Sequence, residues 1–156
     1  HSLSKPYYEQ DLNKKYPDCI QNLVQQPAFG WLLVRTAPDI TKCISKHGYV
    51  MFNKGTVHSI SGSPFESIEG NTVQLILQSL ATYSHYPNNG DIVLFGSSTH
   101  NNDVYSFENH KGTHGGFYGQ MCYPFCITNS ISIQAELHNP SMTMETLFNK
   151  IEYNMR

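Results

Sequence analysis

The sequence predicts an α/β domain in which a mixed or mostly parallel sheet carries flanking helices, and three observations predict it. The stretch "DIVLFGS" (residues 91–97) is a continuous apolar run, the pattern of a strand covered on both faces. It follows "NTVQLILQSLATYSH" (71–85), where Val73, Leu75, Ile76, Leu77 and Leu80 give a well-buried helix. A buried strand after a helix suggests a parallel sheet with helices on both sides. A second apolar run, "FGWLLVRTA" (29–37), supplies another buried strand.

The elements follow in order. A short helix starts at Asp18, with Pro17 before it, Ile20, Leu23 and Val24 at helical spacing, and Pro27 stopping it. After the strand 29–37, "KCIS" and "YVMFN" joined by "KHG" read as a hairpin with Gly48 in its turn. The Gly/Ser/Pro-rich stretch "SISGSPFESIEG" is a crossing that leads to the helix 71–85, capped by Asn71 or Thr72. "NNGD" ends the crossing back into 91–97. Beyond a glycine-rich loop, "CYPFCIT" (122–128) reads as a strand. The segment from about Ser141 is an amphipathic helix through Met144, Leu147, Phe148 and Ile151.

A chain of 156 residues is about one domain, read either as a single domain or as the C-terminal fragment of a larger one. That length buries a core without disulfides or a structural metal. The formal net charge of -2 gives no electrostatic footprint for a nucleic acid polymer. No apolar run approaches the roughly 20 residues of a membrane helix. The four cysteines are Cys19, Cys43, Cys122 and Cys126, and they read as mostly small buried apolar residues. The chain opens on His1 rather than Met, which reads as a processed product or a piece of something longer.

Eight histidines invite a search for a metal or acid–base site. His47, His58, His85 and His138 sit near turns and loops and read as polar surface residues. His100, His110 and His114 share the loop-rich stretch after 91–97 with Asp103 and Glu108. In α/β folds, loops beyond the carboxyl end of a parallel strand hold ligands. His114 lies in "GTHGGFYGQ", between Gly112 and the pair Gly115–Gly116, where glycines permit close backbone approach. No H-E-x-x-H, no deaminase signature, no G-x-S-x-G elbow and no phosphate loop is present. The sequence thus offers one good ligand without its companions.

Taken in order, "YPDCIQNLVQQPAFGWLLVRT", "KHGYVMFNKG", "NNGDIVLFGSST", "YSFENHKGTHGGFYGQMCYPF" and the helical tail resemble one family. They look like the C-terminal part of the alkaline-phosphatase superfamily, in its type I phosphodiesterase and nucleotide-pyrophosphatase-like branch. That family carries a "P-x-[IF]-G-[WF]-x-x-V-R" strand, a short hairpin, a "GD[IL]V" strand and a "G-[ST]-H-G-G" loop. The resemblance covers most of residues 16–128. "GTHGG" alone is a weak motif, and its place after "GDIVLFG" and before "QMCYPF" is what makes the set specific. The resemblance implies the C-terminal portion of the family's α/β/α fold and a two-metal site, usually zinc, that clamps a phosphoryl group. It also implies that His114 is a ligand of that metal pair. The family's nucleophile loop, metal-binding aspartates and "D-H-G" segment lie N-terminal to the matching region, and this sequence contains none of them.

Three readings follow. In the first, the chain is the C-terminal segment of a metal-dependent phosphoric ester hydrolase and is inactive alone. It then completes its site with a missing N-terminal catalytic segment, or self-associates through an exposed strand edge. In the second, it is a non-catalytic binding domain whose loops use some of its 10 Tyr and 8 Phe to hold a small ligand or a protein partner. In the third, it is an autonomous single-metal hydrolase using His110, His114 and Asp103, although the intervening Gly112 argues against a helix presenting both histidines.

Overall fold

The computed structural model describes residues 5–68, 72–87, 89–98, 104–107, 117, 146, 147 and 149. The chain divides into two compact units, His1–Tyr123 and Pro124–Arg156. In the second unit Thr146, Leu147 and Asn149 are helical, and Leu147 is buried. The predicted strand 122–128 lies outside the described residues.

The first unit opens with two short helices, α1 (Glu9–Lys15) and α2 (Cys19–Gln25). Four strands follow: β1 (Phe29–Ala37), β2 (Ile40–Ser45), β3 (Gly48–Asn53) and β4 (Thr56–Gly62). Helix α3 (Thr72–Ser84) then leads to β5 (Ile92–Gly96). The sheet order is β4-β3-β2-β1-β5, and every neighbouring pair is antiparallel.

This corrects the expected mixed or mostly parallel sheet, and with it the alkaline-phosphatase-like α/β/α architecture. The reasons are local and topological. β1, β2, β3 and β4 are joined by links two residues long, which can only reverse the chain. In the last of these, Lys54 and Gly55 both have positive φ (49° and 74°), matching the twist of a tight hairpin. Helix α3 does join two strands that run the same way, β4 and β5. They lie at opposite edges with three strands between them, so no parallel pair forms. A helical crossover sets the direction of the strands it joins and leaves their neighbours open.

The apolar runs report burial on both faces, as the sequence suggested. Along β1, residues 31–34 are all buried, and alternate side chains serve alternate faces. Trp31 and Leu33 join Cys43, Val50 and Phe52 beneath Ile76, Leu80 and Ala81 of α3, with Phe65. Val34, on the other face, packs with Leu12 of α1 and Ile20 of α2. The Lys42–Glu9 ion pair, 3.1 Å long, ties α1 to the same face. The sequence predicts no strand over Thr56–Gly62 and places its end in the crossing, whereas the structure forms β4 there. All seven of its residues are exposed, so it lacks the apolar alternation that marks a half-buried strand.

Burial sets two expectations. Leu80→Ala (2 % exposed) removes core volume and is expected to cost about 2–5 kcal/mol in urea unfolding. Leu75→Ala (48 % exposed) on the same helix is expected to stay within about 0.5 kcal/mol. Equal costs for the two would contradict this placement of α3. Burial also pushes the Cys43 thiol far above its ordinary range, and the thiolate is the reactive form. Cys43 is therefore expected to resist a disulfide-exchange reagent at about pH 8 until the protein unfolds. Rapid native labelling there would overturn the assignment.

Candidate functional site

Antiparallel order brings the start of β1 and β3 and the end of β2, β4 and β5 to one end of the sheet. Phe29 is paired with Gly96, Ser45 with Gly48, and Gly48 with Gly62. The chain leaving β5 is fastened at this end. The backbone N–H of Ser97 donates to the Ala28 carbonyl at 3.0 Å, and its hydroxyl donates to the Pro27 carbonyl. Tyr105 N–H then donates to the Ser97 carbonyl at 2.9 Å, and Ser98 bridges to Val104. Gly96 is required here, because a Cβ would stand 2.4 Å from the Tyr105 carbonyl oxygen.

Two aromatic rings continue the fastening. The Phe107 ring lies 5.3 Å from that of Phe29. The Phe117 ring stacks on Phe95 at 4.6 Å and meets Trp31 edge-on at 5.2 Å. Phe107 and Phe117 flank the segment that contains His114; Phe107 rests on β1, and Phe117 on both β1 and β5. His114 itself lies outside the described residues, as do His100, Asp103, Glu108 and His110.

Beside these contacts is a cleft of about 440 Å³, lined by Gln25, Gln26, Phe29, Lys46, His47 and Glu66 among others. Its rim is held rigidly. Ser63 N–H donates to the His47 carbonyl at 2.8 Å, and the buried Trp31 indole N–H donates to the Pro64 carbonyl at 2.6 Å. Gly62 has φ 67°, and a Cβ there would stand 2.3 Å from the His47 carbonyl oxygen. Across this crossing His47 Nδ1 and a Glu66 carboxylate oxygen are 3.0 Å apart, with both side chains exposed. The pair holds the imidazole by one nitrogen and leaves the other available as donor, acceptor or ligand.

The sequence placed His47 in a hairpin turn as a polar surface residue, and the structure agrees. Its pairing with Glu66 was missed, because the two come from separate turns and no spacing motif links them. His58 lies on exposed β4, and His85 follows the end of α3. Among the described residues no group of three or more His, Cys, Asp or Glu side chains could hold a metal ion. The zinc pair implied by the resemblance thus does not fit the described residues alone, which supply a His–Glu pair and no third donor. Comparison with protein-family models, curated proteins and solved structures gives no match.

The geometry at Gly62 has a direct consequence. Gly62→Ala forces a side chain into left-handed backbone against a carbonyl oxygen and is expected to cost about 1–3 kcal/mol in chemical denaturation. An unchanged midpoint would mean that the crossing is not held as described.

Proposed function

We propose that this chain is one segment of a metal-dependent phosphoric ester hydrolase of the phosphodiesterase and nucleotide-pyrophosphatase type, to which it contributes the ligand His114. The observation that carries the reading is the fastening of both flanks of the "GTHGG" segment, through Phe107 and Phe117, onto β1 and β5. These strands hold the "PAFGWLLVR" and "GDIVLFG" stretches on which the resemblance rests. A ligand on a segment anchored at both flanks loses less conformational freedom on binding. When bound, the metal pair would neutralise charge on the phosphoryl group. The remaining ligands and the nucleophile come from polypeptide outside these 156 residues, or from association with it.

A second reading is favoured by the cleft. Its volume falls in the range of small-molecule sites, and it joins apolar walls to a few polar side chains, as a binding domain requires.

The hydrolase reading predicts weak zinc uptake by the isolated chain in equilibrium dialysis, with no turnover of bis(p-nitrophenyl) phosphate. His114→Ala is expected to remove the tightest zinc-binding step, by about tenfold or more in affinity. Zinc affinity unchanged by His114→Ala would overturn the reading.

A further inference from the structure

We infer that the cleft between α2, the β2–β3 turn and the crossing 63–68 is a binding site for a neutral polyhydroxylated group, a polyol or a sugar ring. The inference rests on the binding reading above and supplies its ligand class.

Several wall groups are already committed. The Ser45 hydroxyl accepts the His47 N–H and donates to the Gly48 carbonyl, and the Ser97 hydroxyl donates to the Pro27 carbonyl. The Trp31 indole N–H is spent on Pro64. What remains is a mixed set: the amides of exposed Gln25 and Gln26, the Lys46 ammonium, the second nitrogen of His47 and the second oxygen of Glu66. Amide, carboxylate and imidazole together offer donors and acceptors to one ligand, as adjacent hydroxyls need. Val24, Pro27 and Pro64 give aliphatic walls for C–H faces.

Two alternatives fit less well. Lys46 is balanced by Glu66, so the lining has no excess positive charge to select a free phosphate. A nucleobase needs an open aromatic plane. Trp31 is 1 % exposed, and Phe29 already carries the Phe107 ring. The cleft therefore matches a compact, non-planar, uncharged ligand. Its frame is preorganised by the Gly62 crossing and the Trp31–Pro64 bond, which limits the ordering cost of weak polar contacts.

The test is an amide-resolved NMR titration of the whole chain with glycerol, D-ribose and D-glucose, beside adenosine, glycylglycine and inorganic phosphate. Saturable shifts at Gln26, Lys46, His47 and Ser67 are expected with the ribose or glucose probe, with dissociation constants of about 1–10 mM. Glu66→Gln and Gln26→Ala, both at exposed positions, are each expected to weaken that binding about tenfold. Lys14→Ala, on α1, is expected to leave it unchanged. Sugar binding indifferent to both cleft variants would overturn the site. Shifts at the cleft with adenosine, glycylglycine or phosphate but with no sugar would overturn the ligand class and leave the binding reading standing. No shift at the cleft with any probe would overturn both.

Discussion

The structure depends on β1 being enclosed on all four sides. It hydrogen-bonds to β2 along one edge and to β5 along the other, and its alternate residues enter two different apolar clusters. Trp31 joins these roles. Its ring packs with Phe65 at 5.8 Å and Phe117 at 5.2 Å, while its indole N–H fixes the backbone at Pro64. A buried indole needs such a partner, and the acceptor it uses also sets the cleft rim. Core packing and site geometry are therefore coupled through one side chain.

The other end of β1 is tied with equal economy. Arg35 donates through one guanidinium nitrogen to the carbonyls of Tyr86, Pro87 and Asn89, within 3.0–3.3 Å. These residues belong to the connection between α3 and β5, so the arginine helps bring β5 alongside β1. The "PAFGWLLVR" stretch thus reads residue by residue as contacts. The carbonyls of Pro27 and Ala28 receive Ser97, Phe29 meets Phe107, Trp31 holds Pro64, and Arg35 gathers the 86–89 carbonyls. Each contact brings a distant part of the chain to β1.

Much of this was legible in the sequence. Helix α2 lies between Pro17 and Pro27, as the prolines predict, and α3 buries Ile76 and Leu80 as expected, whereas Leu75, expected on the buried side, is exposed. The runs 29–37 and 91–97 contain strands β1 and β5; β1 is buried on both faces, and β5 (Ile92–Gly96) is mostly half-buried. Strand direction was not legible, because continuous hydrophobicity measures how many faces are buried. A three-layer antiparallel sheet satisfies that pattern as well as a parallel one. Strand β4 was hidden for the converse reason, since a strand exposed along its whole length carries no periodic signal. Of the candidate site the sequence offers one histidine in a glycine-rich segment, His114, which lies outside the described residues. Its flanking supports, Phe107 and Phe117, are ordinary aromatics in sequence and gain meaning only from the β1–β5 pairing.

That pairing is what the functional readings share. If β5 runs antiparallel to β1, the chain leaving β5 emerges beside Phe29 and Trp31, where the cleft and both aromatic fasteners lie. The most direct measurement is the pattern of cross-strand Hα–Hα and amide NOEs between the two strands. The account predicts contacts at Trp31–Phe95, Leu32–Leu94, Leu33–Val93 and Val34–Ile92, with one strand descending as the other ascends. Contacts in which both strands advance together would make the pair parallel, carry residue 97 to the far end of β1, and contradict the account.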